Sequence, residues 1–405
     1  MILLKRIPGI LYSHKYKLYS IFLIIFTCFY LLFKLNVVCV NLQAWSHVSK
    51  LCNLYENGVA IGSLCAPLCI TRDIHSLTCH SFEATKEAVF SAEWHDTRLV
   101  FKSVPKNIQS IHWFDNGLVR YPSEKEFLQT IRTIVKNKFN LTLAYDTAIR
   151  LSRLKPTYEE KNKMKRRKEM DNLWMLLQDN EYLLSALFAE KDVFPQLLGT
   201  CGPYYAVEYL EPIPAMSSFL TASDSMENWG KRLKLGVLIL DLLEKLETKF
   251  REPFHLCDLK IEHFGLIKNQ NALKFIDLDG VLPKSVVNSI IRDVDYCKSD
   301  NDCDFIDCRS RCETGNKCSN YVTNDNLQIV CEKIFLGWRM SNTVLVPGLL
   351  MSQHTPSELA SLLRQCANPE SEEGKPRTAP DIETKKRLYN ALSEIEQTVN
   401  GDFFL

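Results

Sequence analysis

The sequence predicts an α+β protein of two lobes, preceded by one N-terminal transmembrane helix. Three observations predict it. Residues 18–40 are almost continuously apolar; strand-like and helix-like stretches then lead to a Pro-containing connector, Glu211-Pro212-Ile213-Pro214; and two acidic motifs, C-D-L-K and I-D-L-D-G, follow a long apolar helix, with Asp258 and Asp277 19 residues apart. The 405 residues suffice for one large or two medium domains, and 46% hydrophobic content can fill a sizeable core. A net charge of +1 supplies no bulk field for nucleic acid, which is excluded as a partner.

The apolar run Leu18 to Val40 is interrupted only by Ser20, Thr27, Lys34 and Asn36. About twenty such residues span a bilayer as a helix. Lys5, Arg6, Lys15 and Lys17 precede it without an acidic residue, so the positive-inside rule leaves a cytosolic tail at 1–17 and puts residues 41–405 in the lumen. A cleaved signal peptide is the competing reading, but the run is longer than an h-region and no small-x-small site follows, which favours a signal anchor. Of fifteen cysteines, thirteen lie beyond this segment. In an oxidising lumen they read as a covalent framework. The sequon Asn140-Leu141-Thr142 fits a luminal loop.

Along the chain, Cys52, Cys65, Cys69 and Cys79 allow three pairings among themselves. Gly58 and Gly62 mark a hairpin turn or let backbone approach a phosphate. Thr97 to Ser103 alternates as a strand ending near Lys102, and 123–138 is an amphipathic helix capped by Ser123. The basic run Arg150 to Lys168 reads as a solvated loop or exposed helix. Asp171 to Phe188 reads as one strong helix, with Glu181 on its apolar stripe. A buried unpaired carboxylate is costly, so Glu181 needs a partner, for which Lys102 is a candidate. Two strands then flank the turn Gly202-Pro203, the second carrying Glu208 into the connector. A core helix over about 229–250 delivers the chain to Asp258.

Beyond the acidic motifs, six cysteines fall within 297–331 with no C-x-x-C pair and no histidine, which argues against zinc and for a disulfide knot. Asp300, Asp302 and Asp304 mimic a calcium loop, but Phe305 and Arg311 stand where glycine and glutamate are required. Asn326 to Trp338, Pro356 to Cys366 and Asp381 to Val399 read as helices, and 369–380 as a polar linker.

Strand with Lys102, helix with Glu181, strand pair, connector, core helix, Asp258, Lys260, Asp277: this is the order of a bilobal protein-kinase-like fold, with a small lobe over about 50–212 and a disulfide-rich large lobe over about 213–405. Against the kinase signatures, Asp258 takes the place of the catalytic base, Lys260 of a phosphate-facing lysine, and Asp277 of the metal aspartate, with His263 where an asparagine metal ligand stands. Lys102, Glu181, Gly58, Gly62 and Glu208 are assigned to the nucleotide. ATP with Mg²⁺ or Mn²⁺ is the expected cofactor. Cys257 replaces an arginine, and Leu278 and Asp279 replace Phe and Gly of D-F-G.

The stretches YENGVAIGSLCAPLC, LLQDNEYLL, QLLGTCGPYYAVEYL, CDLKIEHFGL, FIDLDGV, DCDFIDCRSRC and NLQIVCEKIF, over roughly 50–338, resemble the divergent protein kinase domain 1 family, cysteine-rich type II membrane proteins of the endoplasmic reticulum. The resemblance implies a luminal kinase-like fold whose activity and substrate it leaves undefined; the expected acceptor is a hydroxyl of a luminal protein or glycan. Members can carry an EF-hand insert where this chain has the basic run 150–168, so no calcium site is expected there. A phosphotransferase is the leading expectation; a non-catalytic, disulfide-braced binding scaffold is the alternative.

Overall fold

The computed structural model describes residues 19, 21–23, 27 and 41–401, apart from 82–85, 87, 106–107, 109–110, 116–117, 155–161, 215–223, 268–270 and 341–342. The expected signal anchor, 18–40, lies almost wholly outside the described residues, and among those described no helix is long and apolar enough to cross a membrane. The chain divides into two interleaved units. The first takes in Met1–Ile111, Lys161–Gln178 and Leu198–Tyr209; the second His112–Glu160, Asp179–Leu197 and Leu210–Leu405.

Alternation builds the sheet of the first unit. In Thr97–Ser103, Leu99 and Phe101 are fully buried while Lys102 points to the other face, half-buried. With β1 as Ile74–Ser81, β2 as Val89–Trp94, β3 as Thr97–Ser103, β4 as Leu197–Cys201 and β5 as Tyr204–Glu208, the five strands run in the order β1-β2-β3-β5-β4. The β1–β2, β2–β3 and β3–β5 pairs are antiparallel. Lys102 lies opposite Val89 on one side and Tyr205 on the other, so it adjoins the start of β2.

The hairpin turn expected at Gly58 and Gly62 is not formed. A helix, Asn41–Glu56, ends at Gly58, which adopts φ 65° as its terminator. The following segment runs along the helix Lys163–Leu177, held by the buried Asn172: its Nδ2 donates to Val59 O (2.9 Å) and its Oδ1 accepts from Ile61 N (3.1 Å). Gly62 then presses on β4, where an added Cβ would stand 2.0 Å from Thr200 O. Glycine is required there by close packing against a strand.

The structure settles the pairing of the cysteines near the N-terminus, which the sequence left open. Cys52 joins Cys69, but Cys65 reaches Cys201 on β4, and Cys79 is bonded to a partner outside the described residues. Proximity in the fold, set by the helix packing on the sheet, decides the pairing rather than proximity in sequence.

The single helix expected over 171–188 is two. Asn162 caps Lys163–Leu177, so the basic run supplies its first turns, and Arg166 is buried in an ion pair with Glu169 (3.0 Å) rather than solvated. At Gln178 the helix stops, and Asp179 restarts it by accepting the N–H of Tyr182 (2.9 Å), which caps Asn180–Leu187.

In the second unit the helix Met226–Thr248 is packed against the C-terminal helix Ile382–Gly401. The short strand Glu211–Pro212 lies against Phe264–Ile267, which pairs with Ala272–Phe275; Phe254–Leu256 pairs with Val281–Pro283. The cysteine-rich segment closes two internal bridges, Cys297–Cys312 and Cys303–Cys318. Its other two cysteines leave the cluster: Cys308 binds Cys257, and Cys331 binds Cys366. The expected helix over 326–338 is shorter, Asn326–Val330, continued by one π turn over Cys331–Phe335 before a strand begins at Gly337.

His255, in the strand that leads to Asp258, is buried, and its Nδ1 meets no hydrogen-bond partner. Burial, reinforced by Lys284 and opposed by Asp325, lowers its pKa to about 4. The unfolded chain takes up this proton first, so the neutral ring stabilises the fold fully above about pH 6.5, and that stability is lost as pH falls toward 4, by at most roughly 1.4 kcal/mol per pH unit. Thermal melts of the wild type fall across this window, whereas His255→Leu has a flatter acid limb. Parallel limbs in the two proteins would show that another group controls the transition.

Candidate active site

Two strand pairings bring the acidic motifs together. Leu256 lies opposite Val281, so the residues after one strand meet the residues before the other. Cys257 N donates to Gly280 O (2.9 Å), and a Cβ on Gly280 would stand 2.9 Å from Asp258 N. The glycine of I-D-L-D-G therefore does for packing what no larger residue could. Between the motifs, the hairpin Phe264–Ile267 and Ala272–Phe275 spans the 19 residues that separate Asp258 from Asp277.

Asp258 and Lys260 form an ion pair of 3.1 Å at the protein surface. Burial pulls the Lys260 pKa down, but the hydrogen bond and charge of Asp258, with the charges of Asp277 and Glu262, hold it above its ordinary value. Lys260 is thus a standing cation that both site aspartates feel, and not a base. His263 is buried beside them: Nδ1 lies 3.1 Å from Asp258 O and Nε2 lies 3.1 Å from an Asp277 carboxylate oxygen. Both neighbours are acceptors, so both contacts are satisfied only when each ring nitrogen carries hydrogen. His263 ties the two aspartate loops to each other.

Glu181, at the start of Asn180–Leu187, is 2% exposed. Its Oε1 accepts the backbone N–H of Leu278 at 2.9 Å, fixing the carboxylate to the turn between Asp277 and Asp279. Glu181, Asp277 and Asp279 each offer an oxygen, all within 4.8 Å of one another. Three carboxylates at that spacing repel by up to a few kcal/mol per pair, less where water reaches them, as at Asp279. Hard oxygen donors converging in this way fit Mg²⁺ or Mn²⁺. The residue that joins Asp277 in this cluster is Asp279, read in the sequence only as a departure from glycine, while His263 approaches Asp277 from its imidazole side.

Lys138, on the helix Glu124–Phe139, was missed in the sequence, where it is an ordinary lysine in a last helical turn. It donates to Asn180 Oδ1 at 2.7 Å; burial lowers its pKa, against the opposing charges of Asp179 and Asp279. Lys102, Gly58, Gly62 and Glu208 belong to the first unit. There Glu208 lies opposite Leu99, three residue pairs along the sheet from Lys102, Gly62 lies against β4, and Gly58 lies near Lys168.

Asp307 was missed as well. Its carboxylate accepts Leu259 N (2.8 Å) and pairs with Lys333 (2.6 Å), its own N–H donates to Cys257 O (2.8 Å), and the next residue, Cys308, is bonded to Cys257. The residues on both sides of Asp258 are therefore clamped by one covalent and two hydrogen-bonded links to the cysteine-rich segment. Cysteine at 257, which displaces a kinase arginine, is half of that clamp.

Two family models match the chain. One described as "Protein-kinase domain of FAM69" matches residues 173–369, and one described as "N-term cysteine-rich ER, FAM69" matches residues 10–153. A curated relative, divergent protein kinase domain 2A of Xenopus tropicalis, is 24% identical over 203 residues, 47% of this chain and 44% of the relative, so the match spans less than half of that protein's length. A solved complex of Rv3197 with erythromycin from Mycobacterium tuberculosis aligns with 81% of this chain and 74% of its own, at 13% identity and a TM-score of 0.27, a likeness too slight to carry an argument.

The clamp predicts a graded response. Asp307→Ala strands the partly buried Lys333 and the Leu259 N–H, lowering stability by about 2–4 kcal/mol in denaturant melts. Asp307→Asn keeps an acceptor and loses less. Equal midpoints for all three proteins would remove Asp307 from any structural role.

Proposed function

Because the chain belongs to the FAM69 family of kinase-domain proteins, we propose that it is a phosphotransferase of the secretory-pathway lumen, moving the γ-phosphoryl group of ATP to a hydroxyl on a protein or glycan. The observation that carries this reading is the oxygen cluster of Glu181, Asp277 and Asp279, with Asp258 and Lys260 tied to the same loops through His263 and Gly280.

Asp258 suits the general base. It is part-exposed, so an acceptor hydroxyl can approach it, and its backbone is immobilised on both sides. As the hydroxyl oxygen attacks phosphorus, the bond to the leaving diphosphate oxygen breaks, and the hydroxyl proton passes to Asp258. Lys260 stays protonated and offsets the charge spread over the equatorial oxygens. A divalent cation held by Glu181, Asp277 and Asp279 would neutralise phosphate charge there. Lys102 is assigned to the phosphate oxygens on its place in the sequence order of the motifs.

A second reading rests on His263. Its contact with Asp277 occupies one side of that carboxylate with a nitrogen, where kinases use an oxygen donor. A chain that binds nucleotide through Glu181 and Asp277 but does not turn over would be a scaffold braced by its disulfides.

Purified luminal protein should melt higher with ATP and Mn²⁺ or Mg²⁺ than with either alone, and Asp277→Ala should abolish that shift. Asp258→Asn should keep the shift and lower phosphate transfer about 10²–10⁴-fold. Nucleotide binding with no transfer by the wild type selects the scaffold, and absence of any shift with both cations sinks both readings.

A further inference from the structure

The second unit holds a cavity of about 340 Å³ that none of Glu181, Asp258, Asp277 and Asp279 lines. Four of its lining residues are aromatic: Phe139 and Phe254 are buried, and Phe188 and Phe250 are half-buried. Rings of Phe188, Phe250 and Phe254 meet edge to face, with centroids 4.9–5.5 Å apart. Its rim is polar, and one residue of that rim is Asn140, the acceptor of the sequon Asn140-Leu141-Thr142.

Asn140 is exposed, ends the helix Glu124–Phe139 in the left-handed conformation, and its amide is held at both ends. Lys136 Nζ donates to Oδ1 at 2.7 Å, and Nδ2 donates to Ser285 Oγ at 3.0 Å, which in turn donates to Glu252 at 2.8 Å. One hydrogen of Nδ2 suffices for the Ser285 contact, which leaves the other replaceable. Thr142, the hydroxyl residue of the sequon, is exposed.

We infer that Asn140 carries an N-linked glycan whose first N-acetylglucosamine is seated in the Phe188–Phe250–Phe254 cavity. In the transfer, the C1–O bond of a lipid-diphosphate-linked oligosaccharide breaks and a C1–Nδ2 bond forms. The displaced amide proton leaves with the lipid diphosphate. The cavity matches a pyranose in kind. The sugar's C–H face is weakly positive and lies well on the negative faces of aromatic rings, while its hydroxyl and acetamide groups meet the Lys136, Arg251 and Glu252 rim. Its volume is in the range of small-ligand sites. Attachment at the rim makes the sugar's arrival intramolecular, so even weak stacking holds it. This rests on the luminal placement of the chain.

The test uses the full chain expressed in secretory cells. A glycosidase that releases whole N-glycans lowers the wild-type mass by one glycan and leaves Thr142→Ala unchanged; that variant keeps every contact of Asn140. Val59→Thr, which completes a second sequon at the exposed Asn57, reports topology separately. If it is modified and Asn140 is bare, the inference is overturned while the luminal placement stands; if both are bare, the placement falls and takes the inference with it. For seating, wild type trimmed to a single N-acetylglucosamine melts with the untrimmed protein, and Thr142→Ala melts about 2–4 °C lower. In a Phe250→Ala background that gap closes. Equal melting of all glycoforms on the intact cavity would mean that the sugar hangs free.

Discussion

The acidic centre depends on the hold that the cysteine-rich segment has on the two residues flanking Asp258, Cys257 and Leu259. Leu256, just before them, also receives support, its N–H donating to the buried Asn326 at 2.8 Å. A loop with so many backbone groups committed has little freedom left to lose when a substrate arrives, which is the condition for a positioned base. The Cys257–Cys308 bridge closes a separation of 51 residues, worth about 4 kcal/mol in a chain-entropy account. Protein kinases secure the corresponding loop through charge. Here a covalent bond and a buried carboxylate take that part, an exchange available where thiols oxidise.

Much of this is legible in the amino-acid sequence. Thr97–Ser103 alternates cleanly, Gly202-Pro203 divides two strands, and the run Met226–Thr248 is too apolar to be exposed, so these elements could be read in order. What failed depends on contacts distant in sequence. Gly58 and Gly62 read as a hairpin turn because their reason for being glycine is a helix end and the Thr200 backbone, 138 residues beyond Gly62. The break at Asp179 is invisible to periodicity, since the apolar stripe resumes in phase on its far side. Asp307 is one acid among several in an acidic segment, and only the fold sets it beside Leu259.

Asp279 is the most instructive of these. Against a kinase signature it reads as damage. In the structure it extends an oxygen cluster that Glu181 anchors from a helix, and the glycine the signature requires has moved one place along, to Gly280, where its missing side chain admits Asp258. Departures from a motif are better judged by what the substituted atoms meet than by their mismatch. Lys138 extends the same lesson, an unremarkable helical lysine that burial and two aspartates turn into part of the electrostatic setting.

The Cys65–Cys201 bridge has a consequence for biogenesis. Its cysteines are 136 residues apart, while Cys52 and Cys69, 17 apart, flank Cys65. At synthesis rates of about 5–20 residues per second, Cys65 precedes its partner by roughly 7–27 s. Throughout that interval its thiol faces nearby cysteines with which it is not finally paired. The sheet that carries Lys102 therefore reaches its final covalent form only after β4 has been made, and any earlier bridge at Cys65 has to be undone by thiol–disulfide exchange.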